Sequence, residues 1–154
     1  MGAARRWPCR APCRASPARR RKKVATVAHG ADALRGAVTE LGAKGLKLYP
    51  PCGFYPDDPI CSPLYEVAGE LDVPVLLHIA PGAWGVKSKY AHPFYVDSAA
   101  TDFPDVWFIM SHAGFGHEGS GWFEECLGCA TAKSNIMLDL GAWDYRGGLG
   151  NDER

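Results

Sequence analysis

No stretch of this sequence approaches 18 consecutive apolar residues, and its basic start is not followed by the apolar segment of a secretory signal. A membrane-spanning helix is therefore not expected, and the chain reads as soluble and cytoplasmic. Acidic residues are missing altogether from positions 1–23, which carry nine Arg or Lys. The full 154 residues balance 17 basic against 17 acidic side chains, so positions 24–154 hold eight against 17, a formal charge of minus nine. Such a body does not offer a broad nucleic-acid surface. Six cysteines in a chain that is 47% apolar do not imply a secreted disulfide scaffold, because this composition can build a core without staples.

The segment 1–23 combines Pro8, Pro12 and Pro17 with like charges and almost no hydrophobic periodicity. It reads as a disordered basic tail, with 24–154 as the folded domain. Targeting, nucleic-acid binding through the tail alone and non-native coding sequence are the alternatives. Cys9 and Cys13 lack the neighbouring Cys or His set that a zinc module needs.

From Val24 onward, short apolar runs alternate with helical patterns. Strands are predicted over VATVA at 24–28, GLKLY at 45–49, VPVLLHI at 73–79, VWFIMSH at 106–112 and NIMLDL at 135–140. Between them, Leu34, Ala37, Val38 and Leu41 form a helical stripe that stops at Gly42. Ser62 is placed to cap a helix with Pro63 in its first turn and Leu64, Val67, Ala68 and Leu71 on one face. Further helices are predicted at 95–102 and 120–133, the latter turning Trp122, Cys126, Leu127 and Ala130 to the core. Strands alternating with helices indicate an α/β architecture with a parallel sheet.

Two histidines, His78 in LLHI and His112 in IMSHAG, fall at the C-terminal ends of consecutive predicted strands. In α/β barrels that face gathers catalytic groups from separate strands. Imidazole binds transition metals and moves protons near neutral pH, so a metal or catalytic role is expected for at least one of them. Two hydrogen-bonded structural histidines are the alternative.

The stretches GAKGLKLYPP at 42–51, PLYEVAGELDVPVLLHIAPG at 63–82, FPDVWFIMSHAGFG at 103–116, WFEE at 122–125 and NIMLDLGAW at 135–143 resemble the amidohydrolase-2 family. These are metal-dependent hydrolases and decarboxylases related to aminocarboxymuconate semialdehyde decarboxylase. The resemblance implies a partial TIM (β/α) barrel corresponding to strands three to seven. It implies a divalent metal, zinc first with Mn, Fe or Co as alternatives, which lowers the pKa of water and orients the substrate. His78 then matches the metal-binding histidine at the end of strand five. His112 matches the acid/base histidine after strand six. Family members also place an H-x-H pair on the first strand and a metal-binding Asp after the eighth. This sequence contains no H-x-H and stops after the region resembling strand seven, against about 250 residues for a complete barrel.

Lys47, on the strand-four equivalent, is a candidate to meet an acidic substrate or bound hydroxide, or to act as a polar barrel residue. Asp139 in IMLDL is a candidate acceptor orienting His112 or water. His117, His92 and His29 read as loop or rim residues. Cys126 and Cys129 form C-x-x-C inside a helical pattern and read as buried thiols, not a redox pair. Tyr55, Trp84, Tyr90, Phe94 and Tyr95 lie on loops that project over the same face and would surround an aromatic or unsaturated acid or pack as a lid.

The leading expectation is a metal-dependent hydrolase acting on a small organic substrate, with a carboxylic acid as one candidate. Nonoxidative decarboxylation by the same family is the second reading. A noncatalytic barrel fragment, or a homo-oligomer-forming remnant with open sheet edges, is the third.

Overall fold

The computed structural model describes residues 17–82, 85–116 and 121–143. The first element is helix α1, Pro17–Leu41. It runs continuously through Val24–Ala28, so the strand predicted there is a helix, and it also crosses the predicted boundary between tail and domain. Five apolar residues cannot by themselves separate strand from helix. Here the Ala-rich sequence that follows and the stripe built around Leu34 and Val38 carry the helical period through to Leu41. Gly42, with φ +73°, supplies the left-handed residue that ends it.

Four strands follow: β1 (Leu46–Leu48), β2 (Val75–His78), β3 (Phe108–Ser111) and β4 (Ile136–Asp139). They form one parallel sheet in the order β1-β2-β3-β4. The connections carry α2 (Ser62–Glu70), α3 (Pro93–Asp102) and α4 (Trp122–Ala132). The architecture is a partial (β/α) barrel with four strands among the described residues, and the run at 24–28 predicted as a further strand is helical. Pro74 stands just before β2, and its carbonyl accepts from the Leu46 amide at 2.9 Å. Ser62 does not cap α2. It is the first helical residue, and Asp58 instead caps the 3-10 turn at Pro59–Cys61 by accepting from the Ile60 amide.

The register sorts the side chains. Leu46, Val75, Phe108 and Ile136 align across the sheet, as do Leu48, Leu77, Met110 and Leu138. Val75, Leu77, Phe108 and Met110 are fully buried and form one core with Tyr65 and Ala68 of α2, Val96 and Ala99 of α3, and Cys126 and Cys129 of α4. Tyr65 meets Phe108 edge to face at 5.1 Å, and its hydroxyl donates to the Pro56 carbonyl at 2.8 Å. The core therefore lies between the sheet and α2–α4. Leu127 is an exception to the predicted helix face, since it is 50% exposed.

Strand alternation sends the intervening residues to the opposite face. Lys47, Leu76, Ile109 and Met137 align there, and beyond them His78, Ser111 and Asp139 form the next row. This face would be the interior of a closed barrel. Its apolar row is less covered than the core, with Met137 48% exposed. The polar row sits at the strands' C-terminal ends, where barrel chemistry collects.

Candidate active site

His78 reaches this mouth by simple alternation from Leu76. Its imidazole lies between two rings, Tyr49 at 4.4 Å and His112 at 4.9 Å between centroids. Burial holds its pKa down at about 4, outweighing the opposing hydrogen bond to the Pro81 carbonyl, and the neighbouring His112 and Lys47 add smaller pushes in the same downward direction. His78 is thus a neutral imidazole at physiological pH. Its Nε2 faces the Pro81 carbonyl at 3.5 Å. A carbonyl only accepts, so the Nε2 proton points there and the lone pair resides on Nδ1.

His112 arrives differently. Continued alternation from Phe108 and Met110 would send residue 112 into the helix layer. Instead the chain turns left-handed immediately after β3, with φ +73° at His112, +42° at Ala113 and +79° at Gly114. Positive φ is uncommon for non-glycine residues and marks a constrained segment. The turn swings the His112 ring over the mouth toward His78. Only glycine fits at 114, because an added Cβ would lie 2.9 Å from the Trp122 backbone. His112 Nδ1 contacts the Gly141 carbonyl at 2.8 Å, so Nδ1 carries the proton and Nε2 bears the lone pair in the neutral ring.

Asp139 occupies the same row as His78, but its carboxylate does not touch the His112 ring nitrogen. Its Oδ2 accepts from the Ser111 hydroxyl and its Oδ1 from the Gly141 amide, both at 2.9 Å. The Gly141 amide, followed by Ser111, His112 and Lys47, holds its pKa below the ordinary carboxylate value against partial desolvation. Asp139 therefore fixes Gly141, and Gly141 in turn receives His112. Lys47 lies one row deeper on the same face. Its side chain keeps solvent access, yet the protein packed around it lowers its pKa while Asp139 opposes that shift.

The structure brings His78, His112, Lys47 and Asp139 to one mouth and adds Tyr49, Ser111, Gly141 and Trp143. Ser111 was legible in principle, since alternation from Ile109 puts it beside His78. The Trp143 contact was not, because its indole reaches His112 from a turn 31 residues away. His92 sits apart, with Nε2 3.3 Å from Glu125 Oε2 and its ring against Trp122. His29 is exposed on α1. Tyr55 packs on Tyr90 at 4.6 Å and Tyr95 at 4.2 Å, with Lys89 over the Tyr55 and Tyr90 rings and His92 edge-on to Tyr95, while Phe94 is exposed beside His92. Trp84, His117, Cys9 and Cys13 lie outside the described residues. Cys126 and Cys129 are buried in α4, with pKa values raised to about 12 and about 11 chiefly by burial.

A catalytic zinc ion takes three protein ligands and an open position. His78 Nδ1 and His112 Nε2 are suitable donors, but among the described residues no group of three or more His, Cys, Asp or Glu side chains is placed to hold a metal. These residues alone do not complete a metal centre. No described helix is long and apolar enough to cross a membrane.

The fold has a counterpart among solved structures. An uncharacterised TIM-barrel protein from Bordetella bronchiseptica has a crystal structure with a TM-score of 0.56 and 23% identity to this chain, covering 76% of this chain and 48% of that one. The chain thus spans about half the length of that barrel. The structure of 4-oxalomesaconate hydratase from Rhodopseudomonas palustris gives a TM-score of 0.48 and 22% identity, covering 75% of this chain and 39% of that one. No curated protein matches. The family model described as Amidohydrolase, a metal-dependent family, matches residues 6–152, and the chain belongs to that amidohydrolase family.

Proposed function

We propose that this chain carries the proton-transfer part of an amidohydrolase active site and that its reaction is hydrolysis of a small organic substrate. The observation that carries this reading is the pairing of His78 and His112 at 4.9 Å, with His78 Nδ1 and His112 Nε2 as the unprotonated ring atoms. His112 Nε2 accepts a proton from an attacking water and returns it to the leaving group. His78, kept neutral by burial, offers Nδ1 as one ligand to a divalent metal. Zinc suits such a nitrogen best, with Mn, Fe or Co as alternatives, and the rest of the coordination falls to groups other than those described. When bound, such an ion lowers the pKa of water and polarises the substrate.

Lys47 supplies positive charge on the same face, which suits a substrate carrying a carboxylate. Asp139, locked by Ser111 and Gly141, keeps the floor of the mouth ordered. Cytoplasmic location and homo-oligomer formation belong to the same proposal. A noncatalytic role is the second reading, favoured by the lack of a three-ligand group among the described residues.

The test is an assay of the purified chain, supplied in turn with Zn, Mn, Fe and Co, against small esters, amides, lactones and aromatic carboxylates. Hydrolytic turnover that His112→Gln abolishes supports the proposal. Carbon dioxide release would assign decarboxylation instead. No turnover under any metal, from a folded chain, would favour the noncatalytic reading.

A further inference from the structure

We propose that Trp143 is a positioning residue that holds His112 in the orientation and tautomer that leave Nε2 free. The inference rests on the reading of His112 as the proton-transfer group, but its geometry is independent of any substrate. His112 occupies the first of three consecutive left-handed positions, two of them not glycine. Such a segment persists only where its surroundings over-determine it.

Several hydrogen bonds tie it down, including one from the Ala113 amide to the Met110 carbonyl at 3.4 Å. The Gly114 amide donates to the Ile79 carbonyl at 2.7 Å, which anchors the far end of the turn to β2's extension. The His112 carbonyl accepts twice, from the Phe115 amide at 2.9 Å and from the Trp143 indole Nε1–H at 2.7 Å. The ring itself contributes a further tie, Nδ1–H to the Gly141 carbonyl.

Trp143 and Gly141 belong to one turn. The Trp143 amide donates to the Leu140 carbonyl at 3.1 Å, and the Asp139 carboxylate holds the Gly141 amide. The indole is wedged between Phe115, at 5.8 Å, and Phe123, at 5.0 Å, so its N–H has a fixed direction. Backbone and ring of His112 are therefore both gripped by residues 140–143. Trp143 holds the backbone, Gly141 holds the ring, and the Gly141 contact selects the Nδ1–H tautomer because a carbonyl cannot donate. Without the indole N–H, the β3 turn and the β4 turn lose one of their two polar connections at His112. The ring is then free to leave Gly141 and exchange tautomers.

The experiment is a long-range proton–nitrogen NMR spectrum of the imidazoles in the nitrogen-15-labelled full chain at a fixed pH of about 8 with chelator present, comparing wild type with Trp143→Phe. Phenylalanine retains an aromatic ring between Phe115 and Phe123 and removes only the donor. The wild-type His112 is expected as the Nδ1–H tautomer, and the variant is expected to shift the tautomer ratio toward Nε2–H by about tenfold, the effect of losing one hydrogen bond. A folded Trp143→Phe chain whose His112 stays wholly Nδ1–H, or a wild-type His112 found as Nε2–H, overturns the proposal.

If circular dichroism shows that Trp143→Phe does not fold, hydrogen exchange of the wild-type Trp143 indole proton decides. Protection of at least about tenfold over a solvated indole supports the tie, and exchange at the solvated rate overturns it. The outcome is separable from the proposed reaction. The tautomer shift without turnover would leave the positioning role standing and remove the hydrolase reading, while His112-dependent turnover with an unchanged tautomer would do the reverse.

Discussion

His78 and His112 meet edge to face at 4.9 Å although they are 34 positions apart and arrive by different routes, one at the end of β2 by strand alternation and one through the left-handed turn that follows β3. Their convergence gives the mouth two imidazoles whose ring nitrogens make different contacts, His78 Nε2 with the Pro81 carbonyl and His112 Nδ1 with the Gly141 carbonyl. If His112 moves the proton, His112→Gln lowers kcat by about 10²–10⁴ while leaving KM within a few-fold. A matching rise in KM, with kcat preserved, would assign the ring to substrate binding.

The same burial that neutralises His78 makes folding sensitive to acid. Its pKa falls from 6.5 in the unfolded chain to about 4 in the fold, so between those values the unfolded chain binds a proton that the folded chain refuses. Stability is therefore full above about 6.5 and declines as the pH falls toward about 4. Asp139 contributes in a separate window, because its depressed pKa places its loss of stability below the ordinary value of 3.8. Urea midpoints measured with chelator between pH 7 and 4.5 are expected to fall less steeply for His78→Gln than for wild type. Identical slopes would remove His78 as the source.

Lys47 is expected to act on binding and not on chemistry. Lys47→Met raises KM for carboxylate-bearing substrates by about tenfold, the scale of one charge-assisted contact, and leaves uncharged analogues unaffected. Steady-state kinetics on a matched acid and amide pair distinguish this from a general loss of structure, which would weaken both.

Asn135 is a stability prediction away from the mouth. Its side-chain amide donates to the Ala100, Phe103 and Val106 carbonyls at 3.0, 3.2 and 3.1 Å, joining the end of α3 to the approach of β3. Asn135→Leu removes the donors and leaves buried acceptors unpaired, at a cost of about 1–3 kcal/mol. Denaturant unfolding measures it, and a change below about 0.5 kcal/mol would mean that water replaces the amide.

Thiol labelling follows burial. Cys61, Cys126 and Cys129 are buried and Cys52 is exposed. Peptide mapping after a brief native-state exposure to a thiol-reactive dye is expected to find Cys52 modified and Cys126 and Cys129 untouched. Rapid modification of Cys126 would contradict its thiol pKa of about 12.

Much of this arrangement is legible in the sequence, for identifiable reasons. GLKLY, VPVLLHI, VWFIMSH and NIMLDL each contain one of the four observed strands, because turn residues bound them and the helical stripes between them are clear. VATVA fails because a short β-branched run carries no periodicity that outvotes the helix it joins. His78 and Asp139 can be placed on the inner face by counting in twos from Leu76 and Met137. His112 cannot, since counting in twos sends it the wrong way and only three consecutive positive φ angles bring it back. Asp139 and His112 are linked through Gly141, whose amide donates to the carboxylate and whose carbonyl meets the ring, and a backbone carbonyl leaves no signature in side-chain identity.

Cobalt reads the metal-binding role proposed for the His78 imidazole directly. One equivalent of Co²⁺ added to the wild-type chain at pH about 7.5, where His78 is neutral, is predicted to give visible absorption distinct from the aqueous ion, and His78→Ala is predicted to return the aqueous spectrum. An aqueous-ion spectrum from the wild-type chain, or a bound spectrum unchanged by His78→Ala, would contradict it.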